Sequence, residues 1–344
     1  MKIVRHSLMW SLFILLTTAT DVSAQDIHFS QFFETPLLRN PALAGIFSGD
    51  IRVQGVYRTQ WNSVTVPYQT GSLNAEYKLP IGRANDFLTI GAEVIYDKAG
   101  SIALSSTHLL PALNYHKSLS ADRNMYLSLG VMGGLVQRKF DRSKMTTNNQ
   151  FGANGYDPSI ADGESFSKTS YSYFDGSVGM SFNSQIGENP DNNLFLGLGY
   201  HHFNKASKIS FYGAPNEMTP KWVGSAGLRM SINESSFFTL QADYSKQGTY
   251  SETIAGVLYS WRLDNTDDPR YILHGGAFIR VKDAIIPVVK LEFKPMAISV
   301  SYDANISQLT SASSGHGGFE LSLTYQGFVN RDNSSSQALR CPRF

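Results

Sequence analysis

The stretch HFSQFFETPLLRNPALAG, residues 28–45, differs from everything that follows it in the chain. It does not alternate between apolar and polar positions over any useful length, and it ends in an Asn40-Pro41 dipeptide. Asparagine is a favoured N-cap residue and proline is tolerated at the first helical position, so this dipeptide predicts the start of a short helix. Gly45 can end that turn. The sequence therefore predicts a short, apolar, capped segment that is not a strand.

The first residues of the chain have the three parts of a secretory signal peptide. Lys2 and Arg5 form a basic start, residues 8–19 are apolar, and residues 22–24 are small enough for cleavage. The apolar part is too short to span a hydrocarbon core of about 30 Å as a helix. We therefore expect residues 1–24 to be removed on export.

Charge and composition exclude several classes of protein. Removal of the signal peptide takes away Lys2, Arg5 and Asp21, so 29 basic and 28 acidic residues become 27 of each. A neutral chain has no global field that would attract nucleic acid. Cys341 is the only cysteine and cannot form an internal disulfide. No later segment approaches the ~18 consecutive apolar residues of a membrane helix, while Gly and aromatic residues are abundant, and this profile favours an all-β fold.

Alternation with a period of two dominates from Ile51 onward. In TGSLNAEYKL, residues 70–79, Leu73 falls on one face of a strand and Glu76 and Lys78 fall on the other. The same pattern recurs and predicts about fourteen strands. The predicted strands are Ile51–Arg58, Thr70–Leu79, Phe87–Asp97, Leu104–His116, Met125–Lys139, Tyr171–Phe182, Leu194–Phe203, Lys221–Ile232, Ser236–Lys246, Tyr250–Trp261, Tyr271–Val281, Ala284–Phe293, Met296–Asp303 and Gly318–Phe328.

An even number of strands, many about ten residues long, is typical of a transmembrane antiparallel β-barrel. A soluble two-sheet sandwich would also alternate, but its dry core could not hold Glu76, Lys78 and Arg229. We therefore predict an outer-membrane barrel over residues 51–329, in contact with membrane lipid. Aromatic residues recur near the predicted strand ends, where an interfacial girdle would lie. These are Tyr57, Trp61, Tyr77, Tyr96, Tyr115, Trp222, Tyr244, Trp261, Tyr302 and Tyr325.

The longest connections suggest an orientation. Residues 140–170, 204–220 and 304–317 follow the fifth, seventh and thirteenth predicted strands, so all three lie at one end of the barrel. Outer-membrane barrels have long extracellular loops and short periplasmic turns. We therefore expect these three loops on the cell surface, and the amino and carboxyl ends of the barrel, with a tail at 330–344, on the periplasmic side.

Motifs for catalysis or metal binding are missing from the sequence. Residues 176–179 lack the spacing of a nucleophile elbow, and no Walker, GxGxxG or CxxC motif occurs. The Ser/Gly-rich residues 313–318 are better explained as a flexible loop than as a hydrolase site. His201 and His202 are adjacent on a predicted strand, so we expect only one of them to face the interior. We predict no enzyme activity, no catalytic residue, no metal site and no cofactor.

Several short motifs resemble one family of exported proteins. The opening stretch at 28–45, YRTQW at 57–61, YDKAG at 96–100 and CPRF at 341–344 are similar to the PorP/SprF family of Bacteroidetes type IX secretion and gliding proteins. FadL-type transport barrels also carry an Asn-Pro-Ala turn near their start. The resemblance implies a FadL-like barrel of fourteen strands, with residues 25–50 as a plug. This segment has two natural locations, in the barrel mouth or beneath the barrel in the periplasm.

The resemblance also implies a function without a reaction. Family members are associated with export and surface attachment of cargo that carries a type B C-terminal secretion domain, and with periplasmic parts of the apparatus. The positions that match the family's motifs are expected to hold the plug and the first outer corner, with Trp61 at the membrane interface. The full set of predicted plug or partner-binding residues is Phe29, Ser30, Gln31, Phe32, Phe33, Leu37, Arg39, Asn40, Pro41, Arg58, Gln60 and Trp61.

A FadL-like channel for hydrophobic small molecules is the alternative. Its lumen should be lined by apolar side chains, and the polar strand faces argue against that. However, Pro111 and Pro287 lie inside predicted strands, where they could mark bulges or breaks that open the wall.

Overall fold

A computed structural model describes residues 26–60, 66–81, 85–120, 122–207, 210–213, 215–264, 269–307 and 316–329. The predicted signal peptide, the predicted tail at 330–344 and Trp61 lie outside the described residues. In the described part of the chain, no helix has the length and apolar character needed to cross a membrane.

Within the described residues, fourteen antiparallel strands close into one barrel, and two further short strands pair only with each other. The barrel strands are β1 (Ile51–Gln60), β2 (Tyr68–Ile81), β3 (Asp86–Ala99), β4 (Leu104–Ser120), β5 (Met125–Lys139), β8 (Ser170–Gln185), β9 (Asn193–His201), β10 (Lys221–Asn233), β11 (Ser236–Gln247), β12 (Tyr250–Arg262), β13 (Tyr271–Arg280), β14 (Ala284–Phe293), β15 (Met296–Asn305) and β16 (His316–Gly327). The separate hairpin consists of β6 (Phe151–Gly152) and β7 (Gly155–Tyr156).

Each barrel strand pairs with the barrel strands that come before and after it, so β5 pairs with β8. The barrel closes because β1 pairs with both β2 and β16. The β1–β16 register runs from Ile51 opposite Gly327 to Gln60 opposite Gly318. All fourteen predicted strands are present, with bounds that differ by a few residues, so the prediction of a closed fourteen-stranded antiparallel barrel is confirmed.

Alternation sorts the side chains of the wall onto a polar inner face and an apolar outer face. In β2, Leu73 is 53% exposed, whereas Glu76 and Lys78 are 2% and 0% exposed. The outer face has a band of exposed aromatic side chains near both ends of the strands, as the girdle prediction requires. Members of this band are Tyr57, Tyr96, Tyr115, Trp222, Tyr244, Trp261, Tyr302 and Tyr325.

The two strand prolines interrupt the sheet only locally. Leu109 and Ala112 of β4 pair with β5, whereas the two residues between them, Leu110 and Pro111, do not. The register is the same on both sides of this gap. In the same way, Pro287 of β14 and the residue before it do not pair with β15. Proline has no backbone N–H and so cannot donate a hydrogen bond to the neighbouring strand. The predicted breaks are therefore present, but neither of them shifts the register.

The two ends of the barrel differ. The connections at residues 140–169 and 202–220 lie at one end, which we call the long-loop end. At the opposite, short-turn end β1 begins, β16 ends, and two-residue turns join β10 to β11 and β14 to β15.

Residues 26–50, which we call the N-terminal segment, precede β1 and are almost entirely buried. They contain a 3₁₀ turn at Phe32–Glu34, one α-helical turn at Pro36–Arg39 and a second 3₁₀ turn at Pro41–Leu43. Their side chains pack against the inner face of the wall in three apolar clusters.

Candidate functional site: the N-terminal segment and the loop cap

The amino half of the segment is hydrogen-bonded to the last strand of the barrel. The backbone N–H groups of Ser30 and Gln31 donate to the two carboxylate oxygens of Glu320, each at 2.7 Å. The Gln31 side chain donates to Ser301 in β15 at 3.1 Å and to the Glu320 carbonyl at 3.1 Å. One carboxylate in β16 therefore accepts from two consecutive amides of the segment, which is strong, charge-assisted bonding.

Arg58 in β1 joins this contact to a buried network of charges. Its guanidinium donates to Glu320 at 2.8 Å, to Asp303 at 3.2 Å and to the Ser30 hydroxyl at 3.1 Å, and it is 1% exposed. Arg280 also donates to Asp303, at 3.2 Å. Two arginines and two carboxylates are therefore paired with one another here, and such pairing is what burial of charge requires.

Gln60, at the end of β1, lies beside the Arg58 guanidinium. With its amide oxygen turned toward the arginine, it accepts a hydrogen bond from the Arg58 Nε atom at 3.2 Å. The network also reaches the backbone of the segment, because Arg58 donates to the His28 carbonyl at 3.2 Å.

Phenylalanines fix the segment to the neighbouring strands β13 and β14. Phe32 and Phe33 pack on Phe278 of β13, with ring centroids 5.3 and 5.2 Å away, and Ile286 joins the same cluster. Phe29 is 4% exposed. Such pairs contribute beyond the area that they bury.

Leu37 and Arg39, on one helical turn, contact different parts of the barrel. Leu37 is fully buried in a cluster with Ile95, Leu110 and other apolar residues from β3 to β5. Arg39 makes a bidentate ion pair with Asp243 in β11, at 2.7 and 2.5 Å. The planar guanidinium suits this two-point contact, which fixes the rotation of the turn.

Asn40 caps the next turn, as predicted, and also binds the wall. Its Oδ1 atom accepts from the Ala42 N–H at 2.8 Å, and its Nδ2 atom donates to the Met180 carbonyl at 2.9 Å. Pro41 is the first residue of the 3₁₀ turn.

A row of wall glycines makes room for this turn. Gly130, Gly179 and Gly199 are directly paired across β5, β8 and β9. A Cβ atom on Gly130 would lie 2.5 Å from the Ala42 nitrogen, and one on Gly179 would lie 1.8 Å from the Asn40 Oδ1 atom. Glycine is therefore required where the Asn-Pro-Ala turn touches the backbone of the wall.

Three charged residues of this site, Glu34, Glu76 and Lys78, were not among the predicted site residues. Glu34 accepts from Lys290 at 2.7 Å and from Gln54. The Gly45 N–H donates to Glu76 at 2.6 Å, and Lys78 donates to the Phe47 carbonyl. Alternation identifies Glu76 and Lys78 as inward-facing polar residues, but nothing in the sequence indicates which segment residue each one meets.

At the long-loop end the segment begins with a buried Asp–His–Asp contact. Both ring nitrogens of His202 face carboxylates, Asp26 at 2.7 Å and Asp175 at 2.9 Å. Burial alone would lower the pKa of His202, but Asp26 and Asp175 raise the pKa to about 10. Burial likewise opposes ionisation of Asp26, yet the charge of His202 holds the pKa of Asp26 well below its usual range. The imidazolium therefore donates to both carboxylates.

The prediction that only one histidine of the pair faces the interior was wrong. His201 is 5% exposed and His202 is 7% exposed. His202 lies just beyond the end of β9 and has a φ of 58°, so the alternation of the strand no longer applies to it.

Two cavities adjoin this end of the segment. One of about 160 Å³ is bordered by His202, Lys221 and Arg138, and one of about 600 Å³ by Arg280, Glu252 and Asp303. Asp26 and Asp97 border both.

Above the barrel, the two long connections pack on each other. We call residues 140–169 and 203–220 the loop cap; within it, 208, 209 and 214 lie outside the described residues. The Phe211 ring lies 4.9 Å from Phe140 and 4.7 Å from Tyr171, and the Phe211 carbonyl accepts from the Ser167 N–H at 3.0 Å. An aromatic cluster thus joins both connections. The cap also exposes large apolar side chains, among them Phe151, Tyr156 and Tyr212 at 57, 46 and 60%.

A family model described as type IX secretion system membrane protein PorP/SprF matches residues 21–325. The chain belongs to the PorP/SprF family. The match spans the N-terminal segment and nearly the whole barrel, and the predicted resemblance is confirmed. A search of curated proteins gave no match.

This PorP/SprF barrel is also similar in fold to solved structures of transport barrels. The Ralstonia pickettii toluene transporter TbuX has 11% identity and a TM-score of 0.51, over 86% of this chain and 94% of that one. The P. putida toluene transporter TodX has 12% identity and a TM-score of 0.48, over 87% and 95%. At this identity, the likeness to TbuX concerns the fold alone, and it agrees with the predicted FadL-like architecture.

Proposed function

We propose that this protein is an outer-membrane barrel that docks a secreted protein on its loop cap while its N-terminal segment plugs the lumen. Family membership supports a role in type IX secretion. The plug assignment for residues 25–50 is supported by the burial of residues 29–50 against strands on several sides of the barrel. In this orientation the long-loop end faces the cell exterior, and residues 1–24 are a signal peptide.

The observation that carries the docking proposal is the folded loop cap. Long surface loops with few internal contacts would be expected to stay mobile, whereas these two connections pack around Phe140, Phe211 and Tyr171. Exposed aromatic side chains on a supported surface are typical of protein interfaces. The hairpin β6–β7 carries Phe151 and Tyr156, whose rings lie 5.5 Å apart, and its open edges suit strand addition by a β-rich domain.

The proposed occupant of the cap is a secreted surface protein with a type B C-terminal secretion domain. Periplasmic components of the secretion system would meet the short-turn end, from which the tail at 330–344 would extend. Of the twelve predicted plug or partner-binding residues, the nine in the segment are assigned here to holding the plug, as are Arg58, which bonds the segment, and Gln60, which bonds Arg58. Trp61 lies outside the described residues, and its place at the membrane interface stays a prediction.

Purification from the native outer membrane with variant caps tests the docking proposal. The double variant Phe151→Ser and Tyr156→Ser should lose the secreted protein that co-purifies with the wild type, because the exposed rings are removed without touching the barrel. Phe328→Ser is the matched control, since Phe328 is 61% exposed at the opposite end. Equal recovery of the secreted protein with the double variant would contradict the assignment of the cap.

A FadL-like channel for hydrophobic small molecules is the second candidate, favoured by the fold shared with TbuX. The TbuX structure is of a toluene transporter, which makes hydrocarbon uptake the activity to test. Co-purification of a bound apolar molecule, with no protein partner, would support this candidate over docking.

A further inference from the structure

The inner wall of the barrel is built for contact with water rather than with hydrocarbon. Strands on every side turn charged or amide side chains inward, including Arg52, Glu76, Asp243, Lys290 and Glu320. Among the described residues, neither polar atom of the Asn183 side chain has a protein hydrogen-bond partner. Buried polar groups are costly unless they are hydrogen-bonded, so a lumen with such a lining favours water over apolar solutes.

Most of the bonds that hold the segment in place can be exchanged for bonds to water. Arg39 to Asp243, Glu34 to Lys290, and Ser30 to Glu320 are contacts between ionic or polar groups on both sides. These groups are buried while the segment is in place, but each would be solvated once the segment has left a hydrated lumen, so the net cost of breaking such a contact is below its gross energy. Apolar anchoring is concentrated in the clusters around Phe32, Phe33 and Leu37.

The segment can leave without opening the sheet. It is continuous with the wall at Ile51, and its last residue, Asp50, extends the ladder by backbone hydrogen bonds to Gly327 and Lys78, each at 2.8 Å. Gly45 and Gly49, just before that junction, have φ values of +83° and +115°, which only glycine adopts at little cost. Because Asp50 stays paired with the wall, residues 45–49 would form the joint about which residues 26–44 move, and this movement would break the bonds of Gly45 to Glu76 and of Phe47 to Lys78.

Cavities lie on both sides of the segment. Those of about 160 and 600 Å³ adjoin its start near Asp26. Another of about 50 Å³ lies toward the short-turn end, between Phe33 and Phe47 of the segment and Arg229 of β10. The segment separates these spaces.

We infer that the N-terminal segment is a gate, and that its displacement opens a water-filled passage for ions and small polar solutes through the barrel. A fourteen-stranded barrel is wide enough to hold such a passage once its occupant has left. This inference rests on the plug location proposed above and is independent of the docking of a secreted partner. It also differs from the hydrocarbon channel, because the lining selects polar solutes.

Conductance of the purified protein in planar bilayers tests the gate. Gly130→Val should displace the Asn-Pro-Ala turn, because its Cβ would lie 2.5 Å from backbone atoms of Pro41 and Ala42. If the closed state of the wild type is populated about 99 to 1, the variant should raise potassium chloride current by on the order of tenfold or more. Gly71→Val is the matched control, since a Cβ there meets nothing within 4 Å, and its current should equal that of the wild type.

A reversible lock covers the case in which Gly130→Val does not fold. Arg39→Ala should also raise the current, because it removes the ion pair with Asp243. Ala42→Cys with Ser181→Cys, in a Cys341→Ser background, can fix the segment to β8, since the Ser181 hydroxyl lies 2.9 Å from the Ala42 carbonyl. The combined variant should conduct when reduced and be silent when oxidised.

Two outcomes would overturn the gate. One is folded, heat-modifiable opening variants that stay silent; the other is equal current through the oxidised and reduced lock. Recovery of the secreted partner with the same variants reads out docking separately, so loss of partner with unchanged currents counts against the proposed function and not against the gate.

Discussion

Asn40 uses both ends of its amide, so we expect both alanine and aspartate to be destabilising at this position. Oδ1 caps the 3₁₀ turn and Nδ2 donates to the Met180 carbonyl. We expect Asn40→Ala to lower the free energy of unfolding by about 1–2 kcal/mol through loss of the cap and of the wall bond. Asn40→Asp should cost more, because its carboxylate keeps the cap but faces the Met180 carbonyl. Urea unfolding in detergent measures both, and a more stable aspartate variant would contradict this assignment.

The Arg39–Asp243 pair makes a second prediction for single residues. Both side chains are less than a tenth exposed, so removal of one partner leaves the other charge buried. Asp243→Ala should therefore destabilise the protein by about 3–5 kcal/mol, or by less to the extent that water reaches Arg39. The double variant Arg39→Met with Asp243→Leu should recover most of this loss, and the comparison of single and double variants by thermal unfolding measures the coupling.

His202 gives the amino end of the segment a dependence on alkaline pH. Its pKa is raised from the ordinary range to about 10 by Asp26 and Asp175 against the effect of burial. The stabilisation is therefore complete below the unfolded pKa of about 6.5 and is lost as pH rises through about 10. Lys221 and His201 also face Asp26. Protection of the segment from added protease should fall between about pH 7.5 and pH 10.5 in the wild type but stay constant in His202→Gln.

At the scale of elements, the loop cap should behave as one unit held by its aromatic cluster. Phe211→Ser removes the ring that joins residues 140–169 to 203–220, so it should make both connections sensitive to protease while the barrel stays heat-modifiable. Phe151→Ser, on the exposed hairpin, is the control and should leave cleavage unchanged. Mass spectrometry of the fragments locates the cuts, and cuts confined to one connection would show that the two fold independently.

Sequence patterning predicted the elements well because a barrel strand repeats a rule that each strand carries by itself. Leu73 and Glu76 reveal their faces within one strand, and Asn40-Pro41 reveals a capped turn within two residues. The hairpin β6–β7 was missed because strands of two residues have no period to detect. The orientation of His202 was predicted wrongly because this residue lies just beyond the end of β9, where the alternation no longer applies.

At the scale of the whole molecule, the pairs that build the site could not be predicted. Gln31 meets Glu320 across 289 residues, and Arg39 meets Asp243 across 204. The sequence alone gives neither the shear of the barrel nor the path of the segment, and both are needed to bring such residues together. Gly130, Gly179 and Gly199 form their row only after register is set, so three ordinary-looking strand glycines became a site only in three dimensions.

The bond between Ser30 and Glu320 also dictates an order of assembly. Glu320 reaches its position only when β16, the last strand to be synthesised, has paired with β1. The N-terminal segment is synthesised first, but it can dock on Glu320 only after β16 has formed. A chain truncated before β16 cannot seat its own beginning, and the exposed phenylalanines of an unseated segment would mark that chain as unfinished. Docking of the N-terminal segment thus distinguishes a complete barrel from one that lacks β16.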